Sequence, residues 1–128
     1  MFADAEAVDF GVLPDNAADV RRAVARAAEA SDVIMSTGGA SRGDADHIVS
    51  TIHDMGTLHA WQIAVKPGRP LALGVWDGRP IFALPGNPVA ALICTMIFAR
   101  PALGLMAGEG WRTPVGFVVP AAFEKRKK

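Results

Sequence analysis

A short apolar run that feeds directly into a glycine-rich loop is the feature that most constrains the fold. Asp32-Val33-Ile34-Met35-Ser36 places three apolar side chains in succession, and Thr37 to Gly43 (TGGASRG) follows immediately. A run of this kind is typical of a strand that is buried on both faces, as strands of parallel sheets are. We therefore expect a central parallel strand with the glycine-rich loop at its carboxyl end.

Strand and helix patterns alternate around this run. Ala7 to Leu13 (AVDFGVL) is predicted to be a strand, after which Asp15 or Asn16 caps a helix. A second helix, near Ala45 to Met55, is predicted to end at Gly56 as its C′ residue. This order predicts an α/β domain in three layers, with a mostly parallel sheet covered by helices.

The second half of the chain has the pattern of a meander. Leu58 to Val65, Leu71 to Trp76 and Pro80 to Leu84 are predicted strands. Asp77-Gly78, between the last two, is a strong signal for a two-residue hairpin turn. We also expect Val115 to Val119 to form one more strand.

A strongly apolar helix is predicted after the hairpin. Asn87 can cap it while Pro88 occupies its first position, where a missing N–H costs nothing. Because VAALICTMIF is apolar almost all round, we expect this helix to lie inside the molecule. Pro101 is expected to end or kink it.

Composition excludes several classes of protein. The chain has 128 residues, 51% of them apolar, and a formal net charge of zero, so neither disorder nor a nucleic-acid-binding surface is expected. The single cysteine, Cys94, excludes an internal disulfide and is predicted to be core. The apolar stretch Val89 to Phe98 is shorter than the roughly 20 residues that span a bilayer. With no signal peptide visible, we expect a cytoplasmic protein without a membrane partner.

Three loops that follow predicted strands could meet at one end of the sheet. In TGGASRG, backbone N–H groups and the hydroxyls of Thr37 and Ser41 can surround an anion, although a flexible turn would have the same composition. In KPGRP, two prolines hold Lys66 and Arg69 over a small region, although a solvated hairpin tip would look alike. PGNP, the third loop, taken alone is a helix cap.

Carboxylates beside these loops could hold a divalent cation that bridges phosphate oxygens. Asp15 is also a good N-cap, whereas Asp46 has the weakest structural alternative and is the stronger candidate. The three histidines have no metal-ligand spacing and are interpreted as surface or packing residues: His47, His53 and His59.

Taken together, the motifs resemble one known family. Thr37 to Asp46 (TGGASRGDAD), Lys66 to Pro70 (KPGRP) and Leu84 to Leu92 (LPGNPVAAL) occur in order, with AVDFGVLPDN in front and RPALGLMAG behind. This set resembles the molybdopterin molybdenumtransferases of the MoeA/gephyrin-E family, over nearly the whole chain. The resemblance implies a molybdopterin-binding (MogA-like) α/β domain over residues 1–112, without that domain's first strand and helix. Residues 113–128 are then the start of a C-terminal β domain or a linker.

The resemblance also implies an activity. Molybdate is inserted into adenylylated molybdopterin with release of AMP, Mg²⁺ assists, and the intact protein is a homodimer. Asp15, Asp46 and Lys66 are the expected catalytic residues, and the two aspartates are the expected metal ligands. The expected substrate-binding residues are Thr37, Gly38, Gly39, Ser41, Gly43, Arg69, Pro70, Pro85, Gly86, Asn87 and Pro88.

Two positions depart from the family pattern. Arg69 stands where the family usually has lysine, which keeps the charge and changes its geometry. Gln62 stands where many members have lysine, so one cation is missing. Two alternatives therefore stay open: a molybdopterin-binding or scaffold module without catalysis, and a MogA-type adenylyltransferase. A sheet without its first strand is also expected to self-associate or to fold marginally.

Overall fold

A computed structural model describes residues 5–38, 47–63, 70–111, 115–120 and 122. Four strands and a set of helices make up the regular structure of these residues. The elements in chain order are α1 (Ala17–Ala30), β1 (Ile34–Thr37), α2 (His47–Met55), β2 (Thr57–Trp61), β3 (Ala72–Trp76), β4 (Arg79–Leu84), α3 (Pro88–Cys94), a π-helical stretch (Thr95–Ala99) and α4 (Arg100–Met106).

The sheet is mixed, with strand order β1-β4-β3-β2. β1 pairs with β4 in parallel, whereas β2–β3 and β3–β4 are antiparallel pairs. The predicted α/β class is confirmed, but the prediction of a mostly parallel sheet is wrong. β3 and β4 are antiparallel because the two-residue turn at Asp77 (φ 47°) and Gly78 (φ 75°) joins them directly. β3 is also antiparallel to β2, so only one of the three strand pairs in the described sheet is parallel.

β1 lies at the edge of the described sheet, which corrects the prediction of a central strand. Its hydrogen-bonded neighbour is β4, with Ile34 opposite Ile81 and Thr37 opposite Leu84. Met35 is 42% exposed, so β1 is not buried on both faces. The apolar run predicts two covered faces, but burial alternates along this strand instead.

Two segments predicted as strands have no strand structure. Residues 7–13 contain Gly11 at φ 73°, which interrupts an extended conformation, and Phe10 and Leu13 pack against the core without joining the sheet. Residues 115–120 pair with no described strand, and Val115, Phe117 and their apolar neighbours are exposed. A strand needs a hydrogen-bonding neighbour, which an alternating sequence alone does not supply.

Helices cover both faces of the sheet, so the three-layer arrangement is confirmed. Successive side chains of β4 point to opposite faces of the sheet, so Ile81 and Ala83 lie in one core. Phe82 and Leu84 lie in the other. The first core lies under α1 and α2 and consists of Val20, Val24, Ala27, Ala28, Ile34, Ile48, Val49, Ile52, Ala72, Trp76, Ile81 and Ala83. The second core lies under the helix that follows β4 and consists of Leu71, Phe82, Leu84, Cys94 and Ala99.

The helix after β4 runs continuously from Pro88 to Met106 and is called the C-terminal helix below. Pro101 lies inside it. A proline has no N–H and clashes with the preceding turn. The preceding residues Thr95–Ala99 widen into a π-helix, and the Arg100 N–H bonds to the Thr95 carbonyl. The predicted kink is therefore a local widening of the helix.

The predicted complete burial of this helix is wrong. Cys94 is fully buried, but the side facing away from the sheet exposes large apolar side chains: Val89, Leu92, Met96, Ile97, Leu105 and Met106. With 19 residues, it is the one helix among those described that is long and apolar enough to cross a membrane, a property that core helices of soluble proteins share. The helix therefore extends beyond the apolar run Val89 to Phe98 at its carboxyl end.

Two glycines let α2 lie close to the sheet. A Cβ at Gly56 would lie 2.3 Å from the Val75 carbonyl oxygen, and one at Gly74 would lie 2.6 Å from Ile52 Cγ2. Gly56 follows α2, as predicted for a C′ residue, but its importance comes from this contact with β3. Side chains at these positions would push α2 away from the strands.

Replacing Gly74 with alanine is expected to destabilise the protein by about 1–3 kcal/mol, because the new methyl group overpacks the first core. The matched control is Gly104→Ala in the C-terminal helix, where a Cβ would meet Glu109 at an ordinary 3.5 Å. That change should stabilise the protein by up to about 1 kcal/mol through helix propensity. Urea unfolding of both variants is the measurement, and equal effects of the same sign would contradict the packing account.

The exposed face of the C-terminal helix is expected to cause concentration-dependent self-association, since contiguous apolar surface of this kind avoids water. Leu92→Glu and Met96→Glu should each shift the equilibrium toward the monomer. Light scattering over a concentration series measures the effect. A wild-type chain that stays monomeric at millimolar concentration would contradict it.

Candidate functional site

Three strands end at the same end of the sheet, called the rim below. β1 and β4 are parallel, and β2 has the same direction because it and β4 are both antiparallel to β3. The residues that follow β1, β2 and β4 are the three loops singled out in the sequence. The register places Trp61, Ala72, Ala83 and Ser36 in one row across the sheet at this rim.

The first and third loops are in direct contact. The Gly38 N–H donates a hydrogen bond to the Leu84 carbonyl at 3.0 Å, which extends the β1–β4 ladder by one step. Gly38 has φ 83°, a conformation that glycine adopts easily. Gly86 lies so close that a Cβ on it would be 3.5 Å from Gly38 Cα. Two glycines thus form a seam along which the backbone is open to a ligand.

The Pro-Gly-Asn-Pro loop leads directly from β4 into the C-terminal helix. The Asn87 side-chain oxygen accepts hydrogen bonds from the N–H groups of Val89 at 3.0 Å and Ala90 at 3.2 Å, so the predicted cap is confirmed. Pro88 occupies the first turn, as predicted. Pro85 is buried and Gly86 is exposed, so within this pair the glycine backbone faces solvent.

Helices begin at the rim as well. Three residues separate the end of β4 from the C-terminal helix. α2 ends next to Gly56 at the opposite end of the sheet, so its first residue lies toward the rim. Helix N-termini carry partial positive charge and free N–H groups, which attract anions. The rim therefore combines open glycine backbone with positive electrostatic potential.

The second loop connects two antiparallel strands and is anchored at its base. The Gln62 N–H bonds to the Leu71 carbonyl at 3.0 Å, and Gln62 has φ 62°, which is uncommon for a residue other than glycine. Leu71 is fully buried in the second core. Pro70 is half-buried beside it. The base of the predicted cationic loop is therefore fixed to the rim.

Asp15 lies next to the start of α2. Its Oδ1 atom is 3.7 Å from His47 Nε2, and its side chain is 81% exposed. Asn16, not Asp15, caps α1: its side chain accepts a hydrogen bond from the Asp19 N–H at 2.9 Å. This removes the structural alternative for Asp15, whose carboxylate is not used to cap α1.

Several predicted site residues lie outside the described part of the chain: Gly39, Ser41, Gly43, Asp46, Lys66 and Arg69. The structure brings Thr37 and Gly38 together with Gly86 and Asn87, and places Asp15 on the side of α1 and α2. Among the described residues, no group of three or more metal-ligating side chains occurs. The residue that sequence analysis missed is His47, because only the packing of α1 on α2 brings it to Asp15.

The comparisons with known proteins agree with this architecture. The family described as "Probable molybdopterin binding domain" matches residues 2–104. The described residues form an α/β domain in which three strands end at one rim. The chain belongs to this molybdopterin-binding domain family.

Related proteins extend the similarity over most of the chain. The molybdopterin molybdenumtransferase of Haemophilus influenzae is 34% identical over 123 residues, which make up 95% of this chain and 30% of that protein. The molybdopterin molybdenumtransferase of Nostoc is 30% identical over 84% of this chain and 26% of its own length. The chain therefore spans less than a third of each of these transferases.

Solved structures show the same fold. The molybdopterin biosynthesis MoeA protein of Pyrococcus horikosii superposes with a TM-score of 0.69 at 32% identity, over 77% of this chain and 24% of that chain. The molybdopterin biosynthesis enzyme MoaB of Thermus thermophilus, at 18% identity and a TM-score of 0.52, shares the fold over 77% of this chain and 73% of its own.

The two seam glycines are expected to respond differently to alanine. Gly38→Ala should destabilise the protein by about 1–2 kcal/mol, because an L side chain resists positive φ. Gly86→Ala should change stability by less than about 0.5 kcal/mol, since its methyl group meets only an ordinary contact. Thermal unfolding of both variants measures this, and a larger loss in Gly86→Ala than in Gly38→Ala would refute the described seam.

Proposed function

We propose that this chain is a molybdopterin-binding domain that serves in molybdenum cofactor biosynthesis. The reaction proposed for the whole protein is insertion of molybdate into adenylylated molybdopterin with release of AMP. The observation that carries the proposal is the Gly38–Gly86 seam at a rim where three motif-bearing loops start. The names of the relatives support the reaction.

The chemistry of the rim suits a phosphorylated ligand. The hydroxyl of the exposed Thr37 can donate to phosphate oxygens, and glycine-rich sequences of the kind that follows it commonly offer backbone N–H groups to anions. Gly86 allows the ligand to approach the backbone without meeting a side chain. Because the β1–β4 ladder holds Thr37 and Gly38 in place, this end of the site is preorganised, which lowers the entropy cost of binding.

Molybdate is the second proposed substrate, received by the loop that carries Lys66 and Arg69. Gln62 and Leu71 close the base of this loop with a backbone hydrogen bond, so its two strands enter at a fixed separation. Two cations only three residues apart in the sequence favour a dianion such as molybdate. Arginine adds a planar pair of N–H donors that lysine lacks.

Mg²⁺ is the proposed helper ion, held by Asp15 and Asp46. Asp15 fits this role because its carboxylate is exposed and is not used as the α1 cap. Mg²⁺ is usually bound by one or two carboxylates together with substrate phosphates. When bound, the ion would neutralise phosphate charge, while Asp15 itself supplies an exposed carboxylate at the rim.

Homodimer formation and a cytoplasmic location also belong to the proposal. The exposed apolar side chains of the C-terminal helix support association, because an obligate interface is enriched in apolar area. A second candidate is a binding module without catalysis. Gln62 favours it, since a neutral amide stands at the base of the loop where many family members have lysine.

Two measurements separate these functions. Titration with molybdopterin measures binding, and release of AMP from adenylylated molybdopterin on addition of molybdate measures catalysis. We expect the isolated chain to bind weakly and to release no AMP, because it spans less than a third of the transferases it resembles. Absence of molybdopterin binding at low ionic strength would refute both functions.

Reversing the charge of Lys66 (Lys66→Glu) is expected to abolish molybdate binding, measured by calorimetry. The wild-type affinity should fall as salt rises, because exposed cations are screened. The matched control is Arg79→Glu: Arg79 begins β4 at the opposite end of the sheet and pairs with Asp32 at 3.1 Å. Unchanged affinity in Lys66→Glu, or an equal loss in both variants, would show that the loop is a hairpin tip.

A further inference from the structure

His47 is the described side chain that reaches the Asp15 carboxylate. Its Nε2 atom lies 3.7 Å from Asp15 Oδ1, and its side chain is 24% exposed against 81% for Asp15. The distance exceeds that of a direct hydrogen bond and is typical of an ion pair or a water-bridged contact. We propose that His47 is a positioning residue that orients the Asp15 carboxylate at the rim for binding a divalent cation.

Asp15 needs such a partner because its backbone is fixed while its side chain is not. The Asn16 N–H bonds to the Pro14 carbonyl at 2.9 Å, closing a tight turn across Asp15. The Asn16 side chain caps α1, so the Asp15 carboxylate is not used as the cap of this helix. An exposed carboxylate without a neighbour samples several rotamers, and fixing it on cation binding costs free energy.

His47 is suited to the task because it is the first residue of a packed helix. Ile48 and Val49, which follow it, are both buried in the first core. The imidazole is thus attached to a rigid element, while Asp15 sits on the connection that precedes α1. An N–H on Nε2 can reach the carboxylate across this distance through one bridging water.

The sequence places the second predicted cation ligand beside the same histidine. Asp46 immediately precedes His47 in the sequence and lies outside the described residues, whereas the contact of His47 with Asp15 is described. A carboxylate has two oxygens, and holding one of them leaves the second for a metal ion. Partners that orient metal ligands in this way commonly contribute strongly to metal affinity. This inference rests on the proposed function of the rim.

The test is Mn²⁺ binding to the 128-residue chain, followed by electron paramagnetic resonance, with Mn²⁺ standing in for Mg²⁺. His47→Phe keeps a ring of similar size and removes the donor, and it should weaken Mn²⁺ affinity about tenfold. His47→Gln keeps an N–H donor and should restore most of the affinity. The control is His53→Phe near the other end of α2, where the side chain is 74% exposed and contacts Asp54; it should leave affinity unchanged.

Thermal unfolding of each variant distinguishes positioning from packing. Equal Mn²⁺ affinity in wild type and His47→Phe would overturn the inference. So would equal losses in His47→Phe and His47→Gln that parallel their losses of stability, and so would a wild-type chain that binds no Mn²⁺. Molybdopterin binding is measured separately. If the chain binds molybdopterin but its Mn²⁺ affinity is the same in wild type and His47→Phe, this inference fails and the proposed function stands.

Discussion

The parallel pairing of β1 with β4 is the interaction on which the rest of the structure depends. These strands are far apart in sequence, and their ladder ends at the bond between Gly38 and Leu84. Parallel strands finish at the same side, so this pairing alone brings the glycine-rich loop beside the Pro-Gly-Asn-Pro loop. Without it, Gly38 and the Pro-Gly-Asn-Pro loop would not lie side by side.

β4 also divides the two cores. Its alternating side chains supply Ile81 and Ala83 to the side of α1 and α2, and Phe82 and Leu84 to the side of the C-terminal helix. A slip of one residue in its register would exchange these sets and disrupt both cores at once. The same register sets Gly86 against Gly38, so core packing and the geometry of the rim are fixed by one strand.

The parts that could be predicted from the sequence are those with local causes. The Asp77-Gly78 turn and the start of the C-terminal helix at Asn87 and Pro88 follow from residues that are adjacent in sequence. The edge position of β1 could not be predicted, because strand order depends on which distant segments pair. An apolar run predicts that a strand is buried, but it does not predict which strands pair with it.

The candidate site divides in the same way. Its loops were predictable, since each follows a strand and carries glycine, proline or cations. The contact between Asp15 and His47 was not, because it arises where α1 packs on α2 and has no sequence spacing of its own. Likewise, the sequence could not predict which side of the C-terminal helix is exposed, because apolar residues occur on all sides of it.

The close packing of α2 against β3 at Gly56 and Gly74 has a mechanical consequence. α2 is a short rigid rod, nine residues long, that rests on β3 near its last turn and carries His47 at its first. Tilting a rod at its base displaces its tip, and here the tip contacts Asp15. The distance between α2 and β3 at these glycines therefore sets the separation of His47 and Asp15 at the other end of α2. A single methyl group added at Gly56 or Gly74 would change that separation.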